Sequence, residues 1–514
     1  MSGTTIPELP RRYNAASDLI ERNLTGARAN KIAFRDEKRA ITYAELAVQV
    51  DRAANALLGL GLQPEQRVVL CMLDTIDFPV AFLGAIKAGI VPIPVNTMFT
   101  PQDYDYILRD SRARALIVSD ALLPKFEEIR HRQPHLKHVV ASGGEAGQFR
   151  KLVDAAPSRA ETADTTPDDV CFWLYSSGST GTPKGVVHLH GDLILTAELY
   201  GKPILGIEER DIVYSAAKLF FAYGLGNSLT FPMAVGATTI LSAERVTPAL
   251  VSNILRAHKP TIFYGVPTLF AAMLAANDLP TQAEVALRRC ASAGEALPEQ
   301  IGVKWRERFG IDILDGIGST EMLHIFLSNR TGDVRYGTTG KPVPGYRVRL
   351  VDDENSPVPK GEIGELQVSG PTSAPYYWNN RERSRHTFMG PWTRSGDKYR
   401  QDQDGYYVYC GRTDDMLKVG GIYVSPFEVE GALASHEAVL ECAVVGCEDE
   451  AKLIKPKAFV VVKQGHKPSP ALVTALQDHV KSKLAPYKYP RWIEFLDDMP
   501  KTATGKIQRF KLRQ

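Results

Sequence analysis

No apolar stretch in the sequence is long enough and clean enough to cross a bilayer. The most apolar region, 68–95, is broken by Asp74, Asp77 and Lys87 and by three prolines, so it reads as strand, helix and strand. Net charge is almost absent. A formal +2 over 514 residues gives no electrostatic reason to expect nucleic acid or an anionic membrane as partner. Cysteine is scarce, with six at positions 71, 171, 290, 410, 442 and 447 and no Cys-x-x-Cys pair. That pattern favours buried free thiols over disulfide or metal duty. The first fourteen residues lack the apolar core of a secretion signal, so the expected location is cytoplasmic. His131, His135 and His138 lack a clean helical spacing, because Pro134 intervenes, and no cysteine or paired carboxylate accompanies them; a metal site there is not expected.

What is present is the material of a large soluble enzyme. A 44% hydrophobic and 23% charged chain of this length divides into two or more domains. Its most distinctive stretch is Tyr175 to Gly185, Tyr-Ser-Ser-Gly-Ser-Thr-Gly-Thr-Pro-Lys-Gly. Glycines 178, 181 and 185 let backbone N–H groups approach a ligand, the hydroxyls add donors, and Lys184 adds positive charge. This composition suits phosphate. The spacing is not that of the nucleotide P-loop, since Pro183 precedes the lysine and Gly185 follows it.

In chain order, Thr42 with Glu45 reads as a capping box opening a helix that stops at Gly59 or Gly61. Strand and helix patterns then alternate: 67–72, 78–88 and 91–95, followed by 104–111, 115–118 and a helix over 122–132. Residues 143–169 read as a surface connection. The phosphate-type loop is expected between the strand 170–174 and a helix near 191–199, at the carboxyl end of an α/β sheet. His188 and His190 alternate faces if extended, so one is expected to pack under the loop and neither to bind metal. Further strand-and-turn units end at Gly294-Glu295, and at Asp315-Gly316 leading into Ile317-Gly318-Ser319-Thr320-Glu321; together with the first loop they suggest one composite site. After Gly340 the pattern becomes β-rich. The last hundred residues or so read as a small α+β domain, with its boundary at Asp414.

Taken together these stretches resemble the adenylate-forming acyl- and aryl-CoA synthetases. The resemblance rests on 175–185, on 317–321, on Ser395-Gly396-Asp397, on Gly411 to Asp415 and on Pro500 to Lys506. It implies an α/β large domain (1–413) with a β-rich subdomain, and a mobile α+β domain (414–514) turning about Asp414. It also implies ATP, Mg2+ and coenzyme A. Ser176, Ser177, Gly178, Ser179, Thr180, Gly181, Thr182 and Lys184 would hold the β/γ phosphates, Thr320 the α-phosphate, Glu321 the metal, and Asp397 with Arg412 the ribose. Gly294, Glu295, Asp315, Gly316 and Ile317 would line the nucleotide, Lys506 would serve adenylation, and Lys418, Gly420 and Gly421 would face pantetheine.

Two departures point within that family. Phe221 stands where many relatives that use other aryl acids carry histidine, and Ile317 replaces the aromatic residue that stacks on adenine. With the run Gly318 to Ile325, these look like the benzoate-CoA ligase branch, whose ring slot would comprise Phe221, Ala222, Tyr223, Gly318, His324 and Ile325. The resemblance therefore implies a small aromatic acid as substrate, benzoate first, with hydroxybenzoates or transfer to a carrier protein as alternatives, in a monomer or homodimer.

Overall fold

The computed structural model of the chain describes residues 6–143, 147–176, 183–413, 415–419, 422–450, 453–484, 486–501 and 507–513. It forms two compact units. The first comprises Met1–Tyr336, Pro342–Arg347 and Val368–Thr393; the second comprises Gly337–Lys341, Val348–Gln367 and Arg394–Gln514.

In the first unit, eight strands of one sheet lie in the order Ile325–Ser328, Ile313–Gly318, Arg289–Ser292, Ile262–Gly265, Ile212–Ser215, Thr238–Ile240, Ile32–Arg35 and Ala40–Thr42. The inner pairings are parallel and the two outer ones antiparallel. Strands sandwiched on both faces need unbroken apolar runs, and Ile262–Gly265 is buried at every position. Tyr214, Phe263, Phe270 and Trp305 pack in one core cluster against it. A second, all-parallel sheet orders Val91–Pro94, Arg67–Cys71, Ala115–Ser119 and His138–Ser142. The Tyr43–Gly59 helix opens on the expected capping box: Thr42 accepts from the Glu45 N–H, and Glu45 accepts from the Thr42 N–H at 2.8 Å.

The second unit carries part of the β-rich stretch and, beyond it, the α+β pattern read from the sequence. Val439–Glu448, Ile454–Val462 and Trp492–Phe495 form a three-stranded sheet. Helices Pro426–Ala434 and Pro470–Lys483 supply Val429, Leu433, Leu476 and Val480 to its core.

Three local expectations are corrected. Residues 122–132 form short 3-10 turns, Asp120–Phe126 and Arg130–Arg132, because Pro124 interrupts the α pattern. The connection 143–169 contains a helix, Gln148–Ala155, whose Phe149 and Val153 are buried on one face. The phosphate-type loop does not lead from strand to helix: the strands on either side of it, Val170–Ser176 and Lys184–Leu189, pair antiparallel, so it joins two strands. Five of the cysteines are buried free thiols, and Cys447 is partly exposed. No described helix is long and apolar enough to cross a membrane.

Candidate active site

The parallel strands of the larger sheet end side by side. Gly265 pairs with Ser292 and Ser292 with Asp315, so the turns that follow lie at adjacent carboxyl ends, where open α/β sheets bind ligands. Gly294 turns there with φ +96°, a conformation that glycine adopts without strain. Asp315 is buried, its carboxyl is pushed well above the usual range by desolvation, and its Oδ1 has no hydrogen-bond partner. Ile317 and Gly318 belong to the Ile313–Gly318 strand itself, with a register shift between them.

The hairpin reaches this edge through Lys184. Its Nζ lies 3.6 Å from Glu321 Oε1 and 4.4 Å from the centre of the Tyr377 ring. Tyr377 Oη donates to Glu321 Oε1 at 2.7 Å. Burial and then the Glu321 charge both hold the Tyr377 phenol protonated, well above its ordinary value. The sequence motifs named Lys184 and Glu321, and the structure brings them together. Tyr377 was read only as part of a β-rich stretch; its one signal is an aromatic run, Tyr376-Tyr377-Trp378.

Thr320 is fixed from two sides. Ser319 caps the short turn Thr320–Met322, its Oγ accepting from the Met322 N–H. The Thr320 carbonyl lies 2.8 Å from His188 Nε2, and His188 Nδ1 lies 2.9 Å from Asp192 Oδ2. Both histidines of the His-x-His pair are buried, where the alternation of faces suggests only one. His190 Nδ1 accepts from the Ala15 N–H.

Leu323 follows with φ +65° and ψ −37°, and the His324 N–H closes back on the Met322 carbonyl at 2.8 Å. This is a left-handed γ-turn, strained for a residue with a Cβ. It delivers His324, 3% exposed, to a cluster of rings: Phe231 at 4.5 Å, Tyr200 at 5.2 Å and Tyr223 at 5.5 Å. Burial lowers the imidazole to about 3, so the ring is neutral. Tyr223 and Ala222 start the Ala222–Leu225 turn of helix, which Phe221 precedes. Gly318 pairs with Ile325, and a Cβ at Gly318 would lie 2.4 Å from the His324 carbonyl oxygen. Four of the residues expected to line the ring slot, Tyr223, Gly318, His324 and Ile325, are thereby assembled around one turn.

In the second unit Asp397 and Arg412 face each other across an antiparallel pair, with Oδ1 to Nη1 3.0 Å. Arg412 also donates to the Ser395 carbonyl. Gly396 has φ +73°, and a Cβ there would lie 2.8 Å from Arg412 Nη2. Ser177, Gly178, Ser179, Thr180, Gly181, Thr182, Asp414, Gly420, Gly421 and Lys506 lie outside the described residues, as does the Lys418 side chain.

Among the described residues no three His, Cys, Asp or Glu side chains cluster as metal ligands. Magnesium needs no such cluster, since it takes one or two carboxylates, substrate phosphates and water. Glu321 is the carboxylate expected to meet it.

Two family models match, an AMP-binding enzyme over residues 20–378 and an AMP-binding enzyme C-terminal domain over 428–506. A benzoate–CoA ligase of Thauera aromatica is 63% identical, covering 98% of this chain and 97% of the relative. A 4-hydroxybenzoate–CoA/benzoate–CoA ligase of Rhodopseudomonas palustris is 51% identical over 98% of this chain and 94% of its own. A solved benzoate CoA ligase from Burkholderia xenovorans superposes with TM-score 0.92 at 55% identity, covering 98% of this chain and 100% of that one. An anthranilate CoA ligase bound to anthranoyl-AMP does so with TM-score 0.93 at 49% identity, covering 98% and 97%. The chain belongs to the AMP-binding enzymes, in the benzoate–CoA ligase branch of the adenylate-forming acyl- and aryl-CoA synthetases.

Proposed function

We propose that this ATP-dependent aryl-acid CoA ligase takes benzoate as its principal acid, giving benzoyl-CoA, AMP and pyrophosphate. The observation that carries the reading is the run Thr320 to Ile325, where the phosphate-side pair Thr320–Glu321 and the ring-side pair His324–Ile325 stand one turn apart. The likeness to benzoate–CoA ligases supports benzoate as the acid.

The reaction has two halves. A carboxylate oxygen of the acid bonds to the α-phosphorus of ATP, the bond to the bridging oxygen breaks, and pyrophosphate leaves. The thiolate of coenzyme A then attacks the acyl carbon, and AMP leaves with the electron pair of the mixed anhydride. Both halves need charge stabilisation, not a covalent protein nucleophile. Lys184 sits where positive charge is required by the departing phosphates. Glu321 would hold magnesium, which supplies charge neutralisation when bound. Tyr377 and Lys184 orient that carboxylate beforehand. His188 holds the Thr320 carbonyl, so the Thr320 hydroxyl is presented to the α-phosphate from a fixed backbone. The partnerless Asp315 Oδ1 is an acceptor for an adenine N–H, and Asp397 accepts from the ribose hydroxyls. Gly294, Glu295, Gly316 and Ile317 border the nucleotide, and Ser176 to Thr182 hold the β/γ phosphates.

The remaining roles complete the proposal. Lys506 neutralises charge during adenylation. A turn about Asp414, between domains 1–413 and 414–514, then brings Lys418, Gly420 and Gly421 to the pantetheine arm for thioester formation. Phe221, Ala222, Tyr223, Gly318, His324 and Ile325 bound the ring. An acid panel with ATP, magnesium and coenzyme A, read as CoA thioester by mass, should give benzoyl-CoA as the main product; no aryl thioester at all would refute the reading. Lys506→Ala should lose acyl-adenylate formation by about 100-fold or more, while thioester formation from supplied benzoyl-AMP falls much less. Equal loss in both halves would refute the division of labour.

A further inference from the structure

Behind the ring slot lies a group of polar atoms with nothing to bind. Nδ1 of His324 and the phenol oxygen of Tyr264 are buried with no hydrogen-bond partner, and Nδ2 of Asn227 and the Tyr223 phenol, whose side chains face each other, have no further one. They form one patch: Asn227 Oδ1 is 3.3 Å from His324 Nε2, the Tyr223 ring is 5.5 Å from the His324 ring, and Tyr264 meets Tyr223 edge-on at 6.3 Å. Leaving one buried polar atom unsatisfied costs about 1–3 kcal/mol, and folded chains rarely tolerate several together. Such a patch is arranged for a guest that brings hydrogen bonds.

Asn227 decides which hydrogen bonds those are. It is fully buried, on a turn of π-helix, Gly226–Thr230; such turns inside α-helical segments often mark functional positions. Its amide oxygen, 3.3 Å from His324 Nε2, can only accept, and the Tyr223 carbonyl is a second acceptor facing the same imidazole, so the ring proton is assigned to Nε2. A neutral imidazole has one N–H, which leaves Nδ1 as a bare lone pair. Gly226 makes the contact possible, since a Cβ there would stand 2.4 Å from His324 Cδ2 and 2.8 Å from its Nε2.

We propose that Asn227 is a positioning residue that locks His324 with Nδ1 as a hydrogen-bond acceptor, so that the ring slot accepts acids bearing a donor substituent, hydroxyl or amino, at the ring position facing it. The inference rests on the aryl-acid reading of the slot. Asn227 acts through the imidazole; His324 is the residue that meets the substituent. A methyl, fluoro or methoxy group at the same position offers no N–H or O–H and leaves Nδ1 unsatisfied.

Two measurements test this on the full-length enzyme. The first compares kcat and KM for benzoate and for hydroxy-, amino-, methyl- and methoxybenzoates at the ortho, meta and para positions. At one position the hydroxy or amino acid should exceed its methyl and methoxy counterparts in kcat/KM by about tenfold, about 1.4 kcal/mol. In Asn227→Leu that ratio should collapse towards one, chiefly through KM of the donor-bearing acid, and Asn227→Asp, which keeps an acceptor oxygen, should restore part of it. A ratio near one at every position in the wild type, or one unchanged in Asn227→Leu, overturns the proposal. The second is the 15N spectrum of histidine-labelled enzyme, assigned with His324→Gln. Nδ1 of His324 should have the shift of an unprotonated nitrogen and move only when the donor-bearing acid binds. A protonated Nδ1, or a shift that no acid alters because water already fills the patch, overturns it as well. If no aryl acid is converted, the reading of the site fails, whereas the tautomer of His324 is still decided by the spectrum.

Discussion

The two sides of the Thr320–Ile325 run are built on opposite plans. On the phosphate side the charged groups are matched before any ligand arrives: Lys184 pairs with Glu321, and Tyr377 holds the same carboxylate oxygen. On the ring side neutral polar atoms are left open among aromatic walls. The difference follows from cost. An unpaired buried charge is far more expensive than an unpaired neutral group, so a site proposed for a highly charged phosphate chain has to keep its own ions satisfied. A slot for a flat ring can afford open neutral atoms and gain selectivity from them.

The comparison breaks most sharply at Glu321. Glu321→Gln keeps an acceptor for Tyr377 but removes the negative charge, and benzoate-dependent ATP–pyrophosphate exchange should fall by 10²–10³-fold. A smaller loss would mean that the pair is scaffold alone. Next is Gly226→Ala, whose Cβ collides with the His324 ring and stands 3.0 Å from Phe231 Cζ. KM for benzoate should rise by roughly tenfold or more while KM for ATP changes little; equal changes in both would erase the division between the two sides.

Tyr377→Phe removes one hydrogen bond to a carboxylate, and kcat should fall by about tenfold, consistent with a contribution of roughly 1.5 kcal/mol. The smallest effect concerns Asp74, whose carboxylate accepts from the Leu219 N–H beside Phe220–Phe221. Burial pushes it up to about 6, partly offset by Lys218 and by that backbone donor, with Glu37 opposing. A carboxyl raised on folding binds its proton more tightly in the native state. Its contribution is therefore present below the unfolded value and is lost as pH rises through about 6. Asp74→Asn keeps the acceptor and removes the titration, so its melting temperature relative to wild type should rise between pH 4 and 7. A difference independent of pH would refute this.

Much of the site was legible because its residues come in short, ordered motifs. Lys184, Thr320–Glu321 and Asp397 with Arg412 each sit in such a stretch, and the structure pairs Lys184 with Glu321 and Asp397 with Arg412. Partners supplied from far along the chain were not legible. Tyr377 reaches Glu321 across 56 positions and Asn227 reaches His324 across 97, and neither has a local pattern to announce it. The hairpin after Ser176 was misread for a related reason. Its return strand, Lys184–Leu189, runs directly into the helix His190–Thr196, so the apolar run conceals where one element ends. The helix Gln148–Ala155 was missed because two apolar anchors, Phe149 and Val153, are all that its buried face requires.

The γ-turn at Leu323 has a consequence for how such an enzyme changes its diet. Glycine would adopt that backbone freely, yet the position holds a leucine, 3% exposed, whose packing offsets the cost of its conformation. The chain thus passes from phosphate chemistry to ring recognition in a single residue with no slack. A larger acid that displaced His324 would pull on Glu321, and the loss would register as slower adenylation before it registered as weaker binding. If these residues bound the ring as proposed, new acids should be more readily accommodated at Phe221 and Ala222, at the start of a separate turn of helix, than at His324 itself.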